Sequence, residues 1–90
     1  MVQHVNIRVI GKVHGVYFRA SAKEKAVGLA LKGFVRNEPN GDVYLEVEGQ
    51  SEDLKKFIDW CRKGPAHAVV EMVNSEDSAV RGFERFEIKR

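Results

Sequence analysis

Alternating apolar and polar positions near the start of the chain predict a β-strand. In the stretch HVNIRVI the apolar side chains of Val5, Ile7 and Val9 alternate with polar neighbours. Because successive side chains of a strand point to opposite faces of the sheet, this period of two is typical of a half-buried strand. The chain therefore begins with a predicted strand that covers one side of a core.

Two later stretches carry the apolar spacing of an amphipathic helix. The first has apolar side chains at Phe18, Ala22, Ala26, Leu29 and Ala30. Gly33 is the expected stop of this helix, because glycine often ends helices. The second follows Ser51, the expected N-cap, and ends at Gly64 and Pro65. Its apolar side chains fall at i, i+3, i+4 and i+7, namely Leu54, Phe57, Ile58 and Cys61.

A hairpin is predicted between the two helices, and two further strands after them. FVRNEP and DVYLEVE flank Asn40 and Gly41, a pair that suits a two-residue type I′ turn. AVVEMV and FERFEI predict the later strands, joined by the polar connection NSEDSAVRG. This βαββαβ order with a short extra C-terminal strand predicts an α+β, ferredoxin-like sandwich. We expect one domain over residues 1–90, with two helices on one face of an antiparallel sheet.

Charge and cysteine content limit the classes of function. The formal net charge is +2, with acidic residues spread among the basic ones. This weakly favours a small anionic ligand and falls short of the strongly basic surface of a dedicated nucleic-acid binder. The single cysteine cannot form an internal disulfide, and no targeting or membrane segment is visible. We therefore expect a cytoplasmic protein that binds neither nucleic acid nor membrane.

The loop GKVHGVYFR is the main candidate for chemistry. It joins the first strand to the first helix, so its backbone N–H groups can converge on an anion at a helix N-terminus. Gly11 and Gly15 let the backbone approach such a ligand closely. Arg19 offers a guanidinium fork for two phosphate or carboxylate oxygens. The alternative is that the glycines serve only a turn and Arg19 only covers the surface.

What this loop lacks also narrows the chemistry. It does not match the G-x-x-x-x-G-K-[ST] pattern of a nucleotide-binding phosphate loop. No cysteine, serine or aspartate lies between Gly11 and Arg19, so a covalent phosphoenzyme has no nucleophile there. If the loop supports a reaction, water is the expected attacking group.

Two stretches together resemble a known family. GKVHGVYFR, followed by GFVRNEPNGDVYLEVEG, is similar to the two signature motifs of acylphosphatases, small hydrolases of the carboxyl-phosphate anhydride. The resemblance implies a ferredoxin-like fold, no metal and no cofactor. It implies catalytic roles for Arg19, which would bind the phosphate, and Asn37, which would orient the hydrolytic water. It also implies a substrate-binding loop formed by His14, Gly15, Val16, Tyr17, Phe18 and Arg19.

The implied partners follow from this chemistry. The substrate would be a small acyl phosphate and the product inorganic phosphate, released by direct attack of water on phosphorus. We expect a monomer. His14 departs from the family pattern, in which glutamine is usual at this position.

Other polar residues are given structural roles. The histidines His4, His14 and His67 lack metal-ligand spacing, and no cysteine or acidic cluster accompanies them. Asp42, Glu46 and Glu48 lie near or along an alternating strand, which predicts a solvated sheet face.

Two alternative functions remain open from the residues. The βαββαβ order and the fragment KGFV echo the RNA recognition motif. Against this, that module stacks bases on aromatic side chains of its central strands, and the first strand here has none. The second alternative is a regulatory domain with the same anion-binding loop but no turnover.

Overall fold

Five strands form one sheet and two helices cover it in the computed structural model, which describes residues 1–90. The elements are β1 (Val2–Lys12), α1 (Phe18–Gly28), β2 (Lys32–Asn37), β3 (Val43–Gln50), α2 (Ser51–Lys63), β4 (Val69–Ser78) and β5 (Phe86–Lys89). The strand order is β4-β1-β3-β2-β5. The predicted α+β, ferredoxin-like fold with its extra C-terminal strand is confirmed. No helix is long and apolar enough to cross a membrane.

The extra strand makes the sheet mixed. β1 pairs antiparallel with β3 and β4, and β2 pairs antiparallel with β3. β5 instead runs parallel to β2, with Val35 opposite Ile88. A parallel partner needs a long connection, and here β3, α2 and β4 all intervene in the chain. The end of β5 therefore lies beside the end of β2.

The core lies between the sheet and the helices. Alternate residues of β1 and β3 are fully or almost fully buried and meet Phe18, Ala22 and Phe57 from the helices. Burying one such large apolar side chain contributes about 1.5–3 kcal/mol. Because strand side chains alternate, Asn37 lies on the same face as buried Val35, which is the face that carries the helices. The alternation of side chains along β2 thus decides which face Asn37 occupies.

The end of α1 differs from the prediction. The helix ends at Gly28, and Ala30 adopts the left-handed conformation with φ of 57°. The N–H of Leu31 donates to the carbonyl of Ala26 at 2.9 Å, which closes the helix end. Gly33 was predicted to stop the helix, and this is wrong: it lies inside β2. A Cβ there would lie 1.8 Å from the carbonyl oxygen of Glu46, so only glycine allows the strands to approach this closely.

The hairpin turn also differs from the predicted type I′ loop. The N–H of Glu38 donates to the carbonyl of Asp42, and the N–H of Gly41 donates back to the carbonyl of Glu38. Only Gly41 has a positive φ, at 98°, whereas Asn40 does not. Pro39 explains the change, because its ring requires a φ near −65° and so favours a type I turn followed by a left-handed glycine.

Three boundaries move in the second half of the chain, and one of them is the start of β5, which lies at Phe86 and not at the predicted Phe83. The cap of α2 is Gln50, and no side chain caps the helix, so the predicted N-cap role of Ser51 is wrong. β4 continues to Ser78, so half of the predicted polar connection is strand. The true connection, residues 79–85, folds over the outer face of the sheet. Glycine at Gly64 does end α2 as predicted, with its N–H donating to the carbonyl of Trp60.

That connection changes the environment of one acidic residue. Glu48 was predicted to be solvated, but only 3% of it is exposed. Its carboxylate accepts hydrogen bonds from the N–H groups of Arg81, Gly82 and Phe83 and from Nδ1 of His4. Burial opposes ionisation, but these hydrogen bonds outweigh it and hold the pKa of Glu48 below its ordinary value.

Candidate active site

A cavity of about 430 Å³ opens where the loop after β1, the first turn of α1 and the ends of β2 and β5 meet. Its lining residues are Val13, Gly15, Tyr17, Phe18, Arg19, Ala20, Asn37, Ile88 and Arg90. No acidic side chain lines it. The sequence separates Asn37 from the loop by a whole helix, and the sheet brings the two together.

The loop presents free backbone donors to this cavity. The N–H groups of residues 14–20 make no hydrogen bond within the chain. Gly15 and Tyr17 have φ values of 69° and 61°, the backbone pattern that turns successive N–H groups toward one point. Helix α1 begins at Phe18 with no side-chain cap and no acidic residue in its first turn. Free N–H groups and the helix dipole together favour an anion here.

Arg19 is half-buried in the first turn of α1. Its Nη1 donates to the backbone carbonyl of Lys89 at 3.4 Å. This contact joins the guanidinium to β5 and occupies one of its five N–H donors, so the others remain available. A positively charged fork thus lies beside the free N–H groups of the loop.

Asn37 contributes an unpaired acceptor. Its side-chain Oδ1 is buried and has no hydrogen-bond partner, the one such side-chain atom in the chain. An unsatisfied buried polar atom destabilises a protein by about 1–3 kcal/mol and is typical of functional positions. Asn37 is the last residue of β2, on the face that carries the helices, so this atom belongs to the cavity and not to the hairpin.

The structure brings most, but not all, of the predicted binding side chains into the cavity. Gly15, Tyr17, Phe18 and Arg19 line it, with Tyr17 81% exposed at its mouth. The side chains of His14 and Val16 do not line the cavity, although their backbone N–H groups are among those that make no hydrogen bond within the chain.

Three side chains of this segment secure the loop. Val16 packs against the core, and the ring of Phe18 packs 5.3 Å from that of Trp60. Nε2 of His14 donates to the carbonyl of Asp42 at 2.9 Å, which joins the loop to the β2–β3 hairpin. Because a carbonyl only accepts, this bond forms with either the neutral or the charged imidazole.

Gly11 does not line the cavity, contrary to the prediction that it lets the backbone approach a ligand. It lies at a bulge where the register of β1 against β4 shifts, with φ of 142°. A Cβ at Gly11 would lie 2.1 Å from the carbonyl oxygen of Val69, so glycine is needed for the close approach of two strands. Its freedom serves the sheet and not a ligand.

Ile88 and Arg90 line the cavity but were not identified from the sequence, and Val13 and Ala20 were also missed. Val13 lies within the recognised loop and Ala20 directly follows it, so the motif could have identified both. Ile88 and Arg90 reach the cavity only because β5 pairs with β2, a pairing that no local pattern indicates.

Other chemistry-bearing groups lie away from this cavity. Cys61 is fully buried and burial raises the pKa of its thiol, as expected for a core residue. No group of three or more histidine, cysteine or acidic side chains is arranged to hold a metal. A second hollow of about 370 Å³ lies between α1 and the end of α2, and it contains none of the predicted binding residues.

Comparison with known proteins places this arrangement in a family. The acylphosphatase family model matches residues 5–88. An acylphosphatase of Syntrophus aciditrophicus (strain SB) is 43% identical over 89 residues, covering 98% of this chain and 93% of the relative. The chain therefore belongs to the acylphosphatase family and is a hydrolase of acyl phosphates.

Solved structures agree with that assignment. An acylphosphatase from Coxiella burnetii superposes with a TM-score of 0.95 at 35% identity, covering 98% of this chain and 93% of that one. The crystal structure of acylphosphatase from Bacillus subtilis gives a TM-score of 0.94 at 31% identity and full coverage of both chains. The resemblance found from the two motifs is confirmed over the whole fold.

Proposed function

We propose that the cavity hydrolyses the carboxyl-phosphate anhydride by direct attack of a water held by Asn37 on a phosphate bound by Arg19 and the loop N–H groups. The observation that carries the proposal is the meeting of three unlike groups in one cavity: free backbone donors, a guanidinium and an unpaired amide oxygen. Each is suited to a different part of the reaction.

The phosphate would lie against residues 14–20. Its oxygens carry the negative charge that grows or shifts during phosphoryl transfer, and preorganised N–H donors stabilise that charge without reorientation. The N-terminus of α1 adds a positive partial charge at the same place. Arg19 supplies a full charge and a second set of directed hydrogen bonds.

Asn37 would hold the attacking water. Its Oδ1 accepts one hydrogen of the water, which leaves an oxygen lone pair directed toward phosphorus. An amide does not titrate near neutral pH, so Asn37 positions the water and does not act as a general base. We propose that the phosphate of the substrate accepts the proton that the water loses.

The leaving group explains why so few groups suffice. Cleavage of the P–O bond releases a carboxylate, a weak base that needs no general acid. The oxygen of water forms the new bond to phosphorus, and the bonding pair of the old one leaves with the carboxylate. Positioning and charge stabilisation then provide most of the catalysis.

The outer face of the sheet supports this proposal over RNA binding. Phe34 is 3% exposed, and Nζ of Lys89 lies 4.3 Å from the centroid of its ring. The Tyr44 ring is covered by the Arg36 guanidinium at 4.9 Å. Burial and a hydrogen bond to Glu46 raise the pKa of Tyr44 to about 12. Both rings are already occupied by side chains, which disfavours stacking of bases on them.

Hydrolysis of benzoyl phosphate by the purified chain, with a chelator present, tests the proposal. We expect turnover in the wild type and a large loss in Arg19→Ala and Asn37→Ala, with both variants folded by circular dichroism. Arg19→Ala should raise KM and lower kcat, because Arg19 binds the phosphate both before and during the reaction, whereas Asn37→Ala should mainly lose kcat.

Two results would contradict the mechanism. A phosphorylated protein trapped by rapid quench would show a covalent intermediate. Binding of phosphate without any hydrolysis would instead favour the anion-sensing alternative.

A further inference from the structure

The cavity contains a second arginine that the proposed mechanism does not use. Arg90 lines it together with Arg19, and these are its only charged side chains. Alternation along β5 explains this position. Lys89 points to the outer face over Phe34, whereas Ile88 packs against the core. The next residue, Arg90, therefore returns to the face that carries the helices.

The two arginines differ in how firmly they are held. Arg19 is half-buried and bonded to the carbonyl of Lys89. Arg90 is exposed, and its guanidinium forms no ion pair with any carboxylate of the chain. A free guanidinium at the opening of a cavity without acidic groups is available to an anion that comes from outside.

The proposed binding of the transferred phosphate does not require Arg90. In the proposed mechanism, the free N–H groups of residues 14–20 and the Arg19 fork would surround one phosphate at the N-terminus of α1. The acyl group would then extend away from the loop N–H groups toward the rest of the cavity lining, which includes the apolar side chain of Ile88. Arg90 lies two residues after Ile88 and on the same face, so it would lie beside that path.

We propose that Arg90 determines specificity by binding a second anionic group on the acyl part of the substrate. The preferred substrates are then acyl phosphates whose acyl chain ends in a carboxylate or another phosphate, over those with a neutral acyl group. This inference rests on the function proposed above. The shared chemistry is a negative charge at the end of the substrate remote from the anhydride.

The experiment compares two substrates in four proteins. The substrates are benzoyl phosphate, with a neutral acyl group, and the monophosphoric anhydride of a four-carbon dicarboxylic acid. The proteins are the wild type, Arg90→Ala, Arg90→Lys and the control Arg62→Ala. Arg62 carries the same charge but lies on α2, paired with Asp59. In Arg90→Ala we expect kcat/KM for the dicarboxylic substrate to fall about fivefold to tenfold, as for one exposed charged hydrogen bond.

The other values complete the expected pattern. The kcat/KM of Arg90→Ala for benzoyl phosphate should change less than about twofold, because no second charge is lost. Arg90→Lys should retain most of the preference, and Arg62→Ala all of it. Added salt should narrow the difference between the substrates, since the contact is exposed.

Equal losses on both substrates would overturn the inference, because Arg90 would then bind the transferred phosphate. No loss on either would also overturn it. A binding assay separates this inference from the hydrolysis itself. Calorimetry with an alkylphosphonate and with its carboxyl-terminated analogue should show tighter binding of the latter by the wild type, but not by Arg90→Ala. That result supports the role of Arg90 even without turnover, and equal binding in the wild type contradicts it.

Discussion

Two regions of this molecule each direct a set of backbone N–H groups toward a point of their own. In only one of the two does an anionic side chain of the chain accept those hydrogen bonds. In the connection before β5, three consecutive N–H groups of residues 81–83 donate to the carboxylate of Glu48. In the loop before α1, the N–H groups of residues 14–20 donate to nothing in the chain. Both use a left-handed glycine, Gly82 with φ of 79° and Gly15 with φ of 69°.

The difference lies in the origin of the anion. Glu48 is part of the chain and is buried with His4, so its hydrogen bonds add to the free energy of folding. The loop lacks an internal anion, and the buried oxygen of Asn37 beside it is also unpaired. Similar backbone geometry therefore serves stability where the chain supplies the anion, and we propose that it serves binding where the chain does not.

Removing the Arg19 side chain should have the largest effect on activity. We expect Arg19→Ala to lower kcat/KM by about 10³-fold, because one charged donor in a preorganised anion site contributes about this much. The free energy of unfolding should change by less than about 0.5 kcal/mol, since the side chain is half-exposed. Arg81→Ala is the matched control, because it removes a guanidinium and keeps the backbone N–H that Glu48 needs. Steady-state kinetics on benzoyl phosphate and urea unfolding provide the two readouts.

Inorganic phosphate should stabilise the folded chain by binding at the loop before α1 and not near Glu48. At 100 times its dissociation constant it should raise the free energy of unfolding by about 2.7 kcal/mol. Thermal unfolding with and without phosphate measures this. Glu48→Gln should keep the shift, whereas Arg19→Ala should lose most of it at the same phosphate concentration. Loss of the shift in Glu48→Gln alone would contradict the separation of the two regions.

Changing Glu48, which accepts the hydrogen bonds of residues 81–83, should lower the free energy of unfolding and leave kcat unchanged. Glu48→Gln replaces an acceptor oxygen by an NH₂ group that faces N–H donors, so we expect unfolding to become easier by about 2 kcal/mol. Urea unfolding measures it. Glu52→Gln, on the exposed start of α2, should change stability by less than about 0.5 kcal/mol. A loss of kcat per folded molecule in Glu48→Gln would show that the two regions are coupled.

The contribution of Glu48 should depend on pH. Its pKa is lower in the folded chain than its ordinary value of 4.5, so folding favours the ionised form. The stabilisation is therefore fully present above pH 4.5 and is lost as the pH falls through the lower folded value. The stability difference between wild type and Glu48→Gln should be constant near neutral pH and shrink on acidification. A stability difference that grew on acidification would contradict the assignment of a lowered pKa to Glu48 in the folded chain.

Much of the fold was accessible from local patterns. Periods of two and 3.6 identified the strands and helices, because they depend on residues within a few positions of each other. The loop glycines with Arg19, together with the second motif around Asn37, identified the family. The errors also arose locally: Gly33 was assigned to a helix end, although the glycine is needed for the approach of β3 to β2.

The sequence by itself determined the order of the elements, the loop that we propose to bind an anion, and the family, since each depends on residues near one another in the chain. The tertiary structure decided what surrounds them. It placed Asn37 beside the loop, and it brought Ile88 and Arg90 to the cavity through the parallel pairing of β5 with β2. It also buried Glu48 under residues 79–85. These outcomes depend on which distant strands pair and what covers a face, and the free energy that decides them comes from the whole core at once.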